Sequence, residues 1–206
     1  MLLGITGGLA SGKSAVTRLL KKYGATVFSA DEAARAVLSS ETLRREIAHA
    51  FGPEMLLTDG TLNRAALGHR IFTDSAARLR LDSLTHPPIL RLLRAQIETE
   101  QYESSCGVFI AVEIPLLFET NLSGWFERIA VVDTSEVMQV ERLRQRNGLD
   151  EAEARRRIAA QWPLSRKRAL ADYVLTNNGS TQDLEVTVTN FLTQMRGEFS
   201  ATPEKK

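Results

Sequence analysis

At 206 residues, 43% apolar and 25% charged, the chain is long enough for a sizeable α/β core with insertions and lacks the bias of a disordered or fibrous protein. Lys and Arg total 26 against 25 Asp and Glu, a formal charge of +1 that excludes a molecule-wide field for nucleic acid or an anionic membrane. A single cysteine, Cys106, without an intrachain partner, and apolar runs far below the ~18 residues of a membrane span point to a soluble protein of the reducing cytoplasm.

The chain enters a strand-like run at Leu2–Thr6 with no cationic leader before it. A helix follows, with Val16, Leu19, Leu20 and Tyr23 at helical spacing and Gly24 to stop it, and then a second strand at Thr26–Ser29. From residue 30 to 107 the pattern is helical throughout, with Leu43, Ile47, Ala50 and Phe51 and again Leu79, Leu81 and Leu84 in period. That is far longer than the ~10 to 12 residues a crossover needs, so it reads as an inserted helical subdomain. Strands are predicted at Val108–Ile114, Ile129–Asp133 and Tyr173–Thr176. Between the last two lie a helix and an Arg-rich segment, residues 142–168, holding nine Lys or Arg against three Asp or Glu. Residues 197–206 are polar and expected to fray. Short β-rich runs alternating with helices are the signature of an α/β fold with a five-stranded parallel sheet and helices on both faces.

Between the first strand and first helix, Gly7-Gly8-Leu9-Ala10-Ser11-Gly12-Lys13-Ser14 matches the phosphate-binding loop pattern G-x-x-x-x-G-K-[ST] in its required context. The glycines let successive N–H groups face phosphate oxygens, and the helix N-terminus adds positive potential. Lys13 is placed to reach the β and γ phosphates and Ser14 to ligate Mg²⁺. The alternative is a ligand-free glycine turn. An Asn-Lys-x-Asp guanine signature is missing after the last strand, where Thr176-Asn177-Asn178-Gly179 stands, as is the Leu-Ser-Gly-Gly-Gln of transporter ATPases. What remains is phosphoryl transfer to a bound acceptor. A carboxylate is needed just past the strand ends, and Asp31 stands there, as catalytic base, helix N-cap or both. Glu113 and Asp133 close the third and fourth strands, as water-mediated metal ligands or as structural acids. Arg142 and Arg146, one turn apart, form either a phosphate-facing lid surface or a solvated face.

These motifs, with Asp59-Gly60-Thr61-Leu62-Asn63-Arg64, Leu84-Thr85-His86-Pro87, Glu113-Ile114-Pro115-Leu116-Leu117-Phe118-Glu119, Arg142 through Arg146 and Asn177-Asn178-Gly179, occur in the order seen in dephospho-coenzyme A kinases, which the chain resembles over residues 1 to 195. The resemblance implies a P-loop kinase unit over 1–196, with a nucleotide-binding core (1–30, 108–141, 169–196), an acceptor-binding helical domain (31–107) and a lid (142–168). It implies transfer from Mg-ATP to the ribose 3′-hydroxyl of dephospho-coenzyme A, the last step of coenzyme A biosynthesis. Asp31, Lys13 and Arg142 would be catalytic. Gly8, Leu9, Ala10, Ser11, Gly12, Lys13, Ser14, Ala15, Arg142, Arg146 and Asn177 would bind ATP. The acceptor would meet Asp31, Arg64, His86, Glu113 and Gln161, and Mg²⁺ would meet Ser14, with Asp31 through water. Arg64 is otherwise a solvated helix residue and His86 a packed turn histidine. Two positions depart from the family pattern: Ser29 replaces the first Asp of an Asp-Ala-Asp segment, and Ala10 stands where many relatives have Gly. A nucleoside or nucleoside-monophosphate kinase, and a regulator that hydrolyses ATP slowly, are the alternatives. No obligate protein partner is evident.

Overall fold

Residues 1–104 and 108–200 are described by the computed structural model, and the chain divides into two units, Met1–Val27 with Cys106–Lys206 and Phe28–Ser105. Cys106 and residues 201–206 of the expected tail lie outside the described residues.

Five strands, β1 (Leu2–Gly7), β2 (Thr26–Ser29), β3 (Ile110–Glu113), β4 (Arg128–Asp133) and β5 (Tyr173–Thr176), form a sheet in the order β2-β3-β1-β4-β5. β1 runs parallel to β3 and β4, pairing Gly4 with both Val112 and Ile129, and β5 continues parallel beside β4. β3 is shorter than expected, yet Thr26 N–H still donates to the Phe109 carbonyl at 2.9 Å and Ile114 N–H to that of Ile5 at 2.9 Å.

Helices α1 (Lys13–Lys22) and α9 (Thr181–Ser200) cover one face. Alternate strand residues Leu3, Ile5, Ala130, Val132 and Leu175 meet Val16, Leu20, Leu184 and Val188 there, the period of two in a strand meeting the 3.6 of a helix. On the other face a Cβ at Gly4 would stand 2.8 Å from Leu117 and 2.9 Å from Phe126, so the segment after β3 packs directly on the backbone of β1. With Phe191, Leu192 and Met195 buried, α9 holds its helix to Ser200. Residues 197–200, expected to fray, are therefore helical.

The Arg-rich stretch spans α6 (Glu136–Asn147), α7 (Glu151–Ala159) and α8 (Leu164–Ala169), so the expected lid boundary at Arg142 falls inside α6. Ser135 accepts from Met138 N–H to start α6, left-handed Gly148 ends it, and Asp150 accepts from Glu153 N–H to start α7. Val140, Leu143 and Ala154 bury themselves against Leu9 and Ala10, so this helix pair packs on the phosphate-binding loop.

The second unit holds α2 (Ala30–Leu38), α3 (Glu41–Phe51), α4 (Arg64–Thr73) and α5 (Ser75–Glu103). Its core is Leu43, Ile47, Met55, Leu67 and Leu81. The unit is not helical throughout. Leu56 and Leu62 pair in an antiparallel bridge around a turn at Gly60, where Thr61 N–H and hydroxyl both donate to Asp59 Oδ1. Those bonds hold the Asp59 carboxyl below its ordinary value. α5 runs unbroken through Pro87 and Pro88, in line with the helical pattern and against the alternative of a turn at His86. Each proline removes a helix donor at a cost of about 3 kcal/mol, offset by the burial of Leu81, Leu93 and Ile97 along a helix that packs on α2, α3 and α4.

Candidate active site

The loop between β1 and α1 is shaped from outside by side chains that take its carbonyls. Lys13 Nζ donates to Gly8 O at 2.8 Å and reaches Gly7 O at 3.5 Å. Gln139 Nε2 donates to Leu9 O at 2.6 Å. Arg142 Nη1 donates to Ala10 O and Ser11 O at 3.3 and 3.2 Å, and Asn177 Nδ2 to Ser11 O at 2.8 Å. In a trans peptide the N–H points away from the carbonyl before it. Opposite the Leu9 and Ser11 carbonyls taken by Gln139 and Asn177, the amides of Ala10 and Gly12 point to the other side, an arrangement suited to an anion. Close approach requires glycine at two places. A Cβ at Gly7 would lie 2.6 Å from Val132 O, and one at Gly12 (φ +95°) 2.1 Å from Asn177 Nδ2. Ala10 is left-handed at φ 57°, which explains why glycine suits that position.

At the start of α1, Ser14 Oγ donates to Glu113 Oε1 at 2.9 Å, and Thr17, one turn on, donates to Oε2 at 3.0 Å. Glu113 is buried at the end of β3 and stands behind the Ser14 hydroxyl. With Ser14's proton given to the carboxylate, its oxygen lone pairs are left for a cation. Hydroxyl and carboxylate oxygens beside a phosphate loop are the donor set Mg²⁺ accepts, so these residues fit that ion.

Other predicted residues are deployed differently. Arg142 holds the loop from behind, and its Nη2 also donates to Asn177 O at 3.0 Å; burial lowers its pKa from the ordinary guanidinium value. Arg146 does not join it: exposed, it donates through Nε to Asn147 Oδ1 at 2.9 Å. Asn177, expected to bind ATP, is buried with its amide committed to the loop, while its N–H donates to Asp133 O. Asp133 pairs with Arg168 at 3.0 Å, the structural role. Gln161 lines a groove of about 440 Å³ with Gly8, Leu9, Gln139 and Trp162, and its buried Oε1 lacks a partner among the described residues. Ala15 lies in the first turn of α1, its N–H donating to Gly12 O at 2.9 Å.

Sequence reasoning missed Thr17, Gln139 and Lys167. The first two were signalled by i,i+3 spacing from Ser14 and Arg142. Lys167 carried no such signal amid its basic run.

In the second unit Asp31 is exposed in the first turn of α2, and Ser29 occupies the N-cap position. Asp31 is therefore not the cap. Arg64 is exposed at the first position of α4, where Asn63 caps by accepting from Ala66 N–H at 3.1 Å. His86 lies exposed on α5, its Nε2 3.7 Å from Asp82, rather than packed in a turn.

The dephospho-CoA kinase family model matches residues 1–183. The dephospho-CoA kinase of Geobacillus kaustophilus is 42% identical over 184 residues, 89% of this chain and 90% of that one. That of Syntrophotalea carbinolica is 44% identical over 184 residues, 88% and 86% of the two chains. The solved dephospho-CoA kinase of Campylobacter jejuni superposes with a TM-score of 0.72 at 25% identity, over 96% of this chain and 98% of that one.

Proposed function

The chain belongs to the dephospho-CoA kinase family, and from that premise we propose how its residues move the γ-phosphoryl group of ATP onto the ribose 3′-hydroxyl of dephospho-coenzyme A. The observation that carries the reading is the loop whose Leu9, Ala10 and Ser11 carbonyls are taken by Gln139, Arg142 and Asn177, with Lys13 on the Gly8 carbonyl and Ser14 backed by Glu113.

ATP lies with its phosphates on the amides of the loop and the N-terminus of α1, contacted by residues 8–15. Lys13 exchanges its carbonyl partners for β and γ phosphate oxygens and stabilises the charge that spreads over them as the bond to the leaving oxygen stretches. Arg142 adds positive charge and keeps the loop in register, as does Asn177. The Ser14 hydroxyl, with Asp31 through water, would hold Mg²⁺, which would supply positive charge to the phosphates. In the second unit Arg64 offers a planar fork of donors to an acceptor phosphate, and His86 a ring nitrogen to the acceptor. Gln161 offers the acceptor its unpartnered amide oxygen. Asp31 takes the 3′-hydroxyl proton as the new P–O bond forms and the bond to ADP breaks. Glu113 is better read as the support of Ser14 than as an acceptor contact. The unit Phe28–Ser105 serves as the acceptor domain, and the Arg-rich helices α7 and α8 as the lid. No helix among the described residues is long and apolar enough to cross a membrane, and the reading carries a cytoplasmic setting with it.

The test is ADP release measured side by side with dephospho-coenzyme A, AMP and adenosine as acceptors. Dephospho-coenzyme A should be turned over far faster than either of the others. Equal rates for all three would remove the assignment.

A further inference from the structure

We infer that Lys167 is a positioning residue of the phosphate-binding loop: a buried ammonium, paired with Glu119, that fixes the Gly7 carbonyl where the loop leaves β1. The inference rests on the kinase reading only in naming ATP as the anion.

Arg166, Lys167 and Arg168 are consecutive and meet three different fates. Arg166 stacks over the Trp162 ring, 3.3 Å from its centroid, and Arg168 pairs with Asp133. Lys167 alone turns inward and is fully buried, the largest side chain of the described residues to be so. Its Nζ lies 2.7 Å from Glu119 Oε1 and donates to Pro115 O at 3.1 Å and to Gly7 O at 3.5 Å. Three acceptors thus serve an ammonium with three protons. Glu119 Oε1 also accepts from Trp162 N–H at 3.1 Å. One ion pair therefore ties together the turn after β3, the link between α7 and α8, and the first residue of the loop.

Gly7 O is also reached by Lys13 Nζ at 3.5 Å. Two ammonium groups share one carbonyl oxygen, which puts the nitrogens at most about 7 Å apart, a distance at which like charges in a partly buried site repel appreciably. Glu119 at 2.7 Å offsets most of the Lys167 charge, so Lys167 serves the loop chiefly by fixing the Gly7 carbonyl that Lys13 also reaches. Stability does not explain the arrangement. A buried ion pair is seldom better for folding than a well-packed apolar pair of the same volume. Its position beneath the loop does explain it.

The test is calorimetric titration of the full chain with ATP, ADP and adenosine, without acceptor. Lys167→Met alone strands the Glu119 carboxylate in the interior and risks unfolding. The double variant Glu119→Leu with Lys167→Met replaces the pair by apolar groups and keeps the packing. In the double variant, ATP and ADP dissociation constants should rise roughly tenfold, the scale of one lost charge-assisted interaction, while that of adenosine stays put. In turnover, KM for ATP should rise more than kcat falls. A folded double variant that binds ATP within a factor of two of wild type would overturn the inference and leave the pair as packing. Because nucleotide binding is read without acceptor, failure of wild type to phosphorylate dephospho-coenzyme A would strike the kinase reading instead.

Discussion

Asp31 and Glu113 are two carboxylates with separate duties. Asp31 is exposed in the first turn of α2, with Ser29 in the capping position, so Asp31→Asn removes a charge near a helix N-terminus and no capping bond. The Asp31→Asn protein should melt within a few degrees of wild type and still bind Mg-ATP, while kcat falls by the roughly 10² to 10⁴ of a lost general base. The low end is expected, because loose phosphoryl-transfer transition states demand little base assistance. A wild-type kcat in a folded variant would end the catalytic role. Glu113 instead accepts from Ser14 and Thr17 at 2.9 and 3.0 Å. Glu113→Gln replaces one acceptor oxygen by a donor, so one hydroxyl loses its partner and Ser14 its fixed orientation. The Mg²⁺ concentration for half-maximal activity should rise about 10- to 100-fold, the range for partners that orient metal ligands. An unchanged magnesium titration would return Glu113 to a purely structural role.

Elements can be tested through the pair that joins α1 to α9. Lys22 and Tyr23, at the end of α1, both reach Glu185 Oε1 at 2.6 Å. The hydrogen bond from Lys22, then that from Tyr23, holds the Glu185 carboxyl below its ordinary 4.5. A carboxyl lowered on folding contributes stability above its unfolded value, and that contribution is lost as pH falls through the folded one. The Tm of wild type should therefore drop more steeply below about pH 5 than that of Glu185→Gln, the two converging in stronger acid. Parallel curves would mean that the tie is screened by solvent and adds nothing. Much of this level was legible beforehand. Strands β2 and β5 fall where β-rich runs put them, and Gly24 follows α1 at φ +96°. What escaped were outcomes of particular contacts. The helical pattern of residues 30–107 runs through Pro87 and Pro88 but breaks at the Leu56–Leu62 bridge, whose turn depends on the Asp59–Thr61 hydrogen bonds. Lys167 could not be told from Arg166 and Arg168 because burial of one among three cations depends on where Glu119 lies.

The whole molecule joins two units with separate cores, one around the sheet and one around Leu43, Ile47 and Leu67. Hydrogen exchange should resolve them. ATP alone should protect amides near residues 8–17 and 139–142, and dephospho-coenzyme A alone those of α4 and α5. The same footprint from both ligands would contradict the division of labour between the units. At this scale the sequence motifs located the loop but not its scaffolding, since Gln139, Arg142 and Asn177 approach it from more than a hundred residues away in the chain. That scaffolding has a thermodynamic consequence. A glycine-containing loop has more conformational freedom to lose than almost any other segment. Tied by its carbonyls to α6 and Asn177, this loop surrenders that freedom when the unit folds. Association with ATP is then left to order the ligand and little of the backbone, so the entropic penalty of making the site falls on folding rather than on each round of binding.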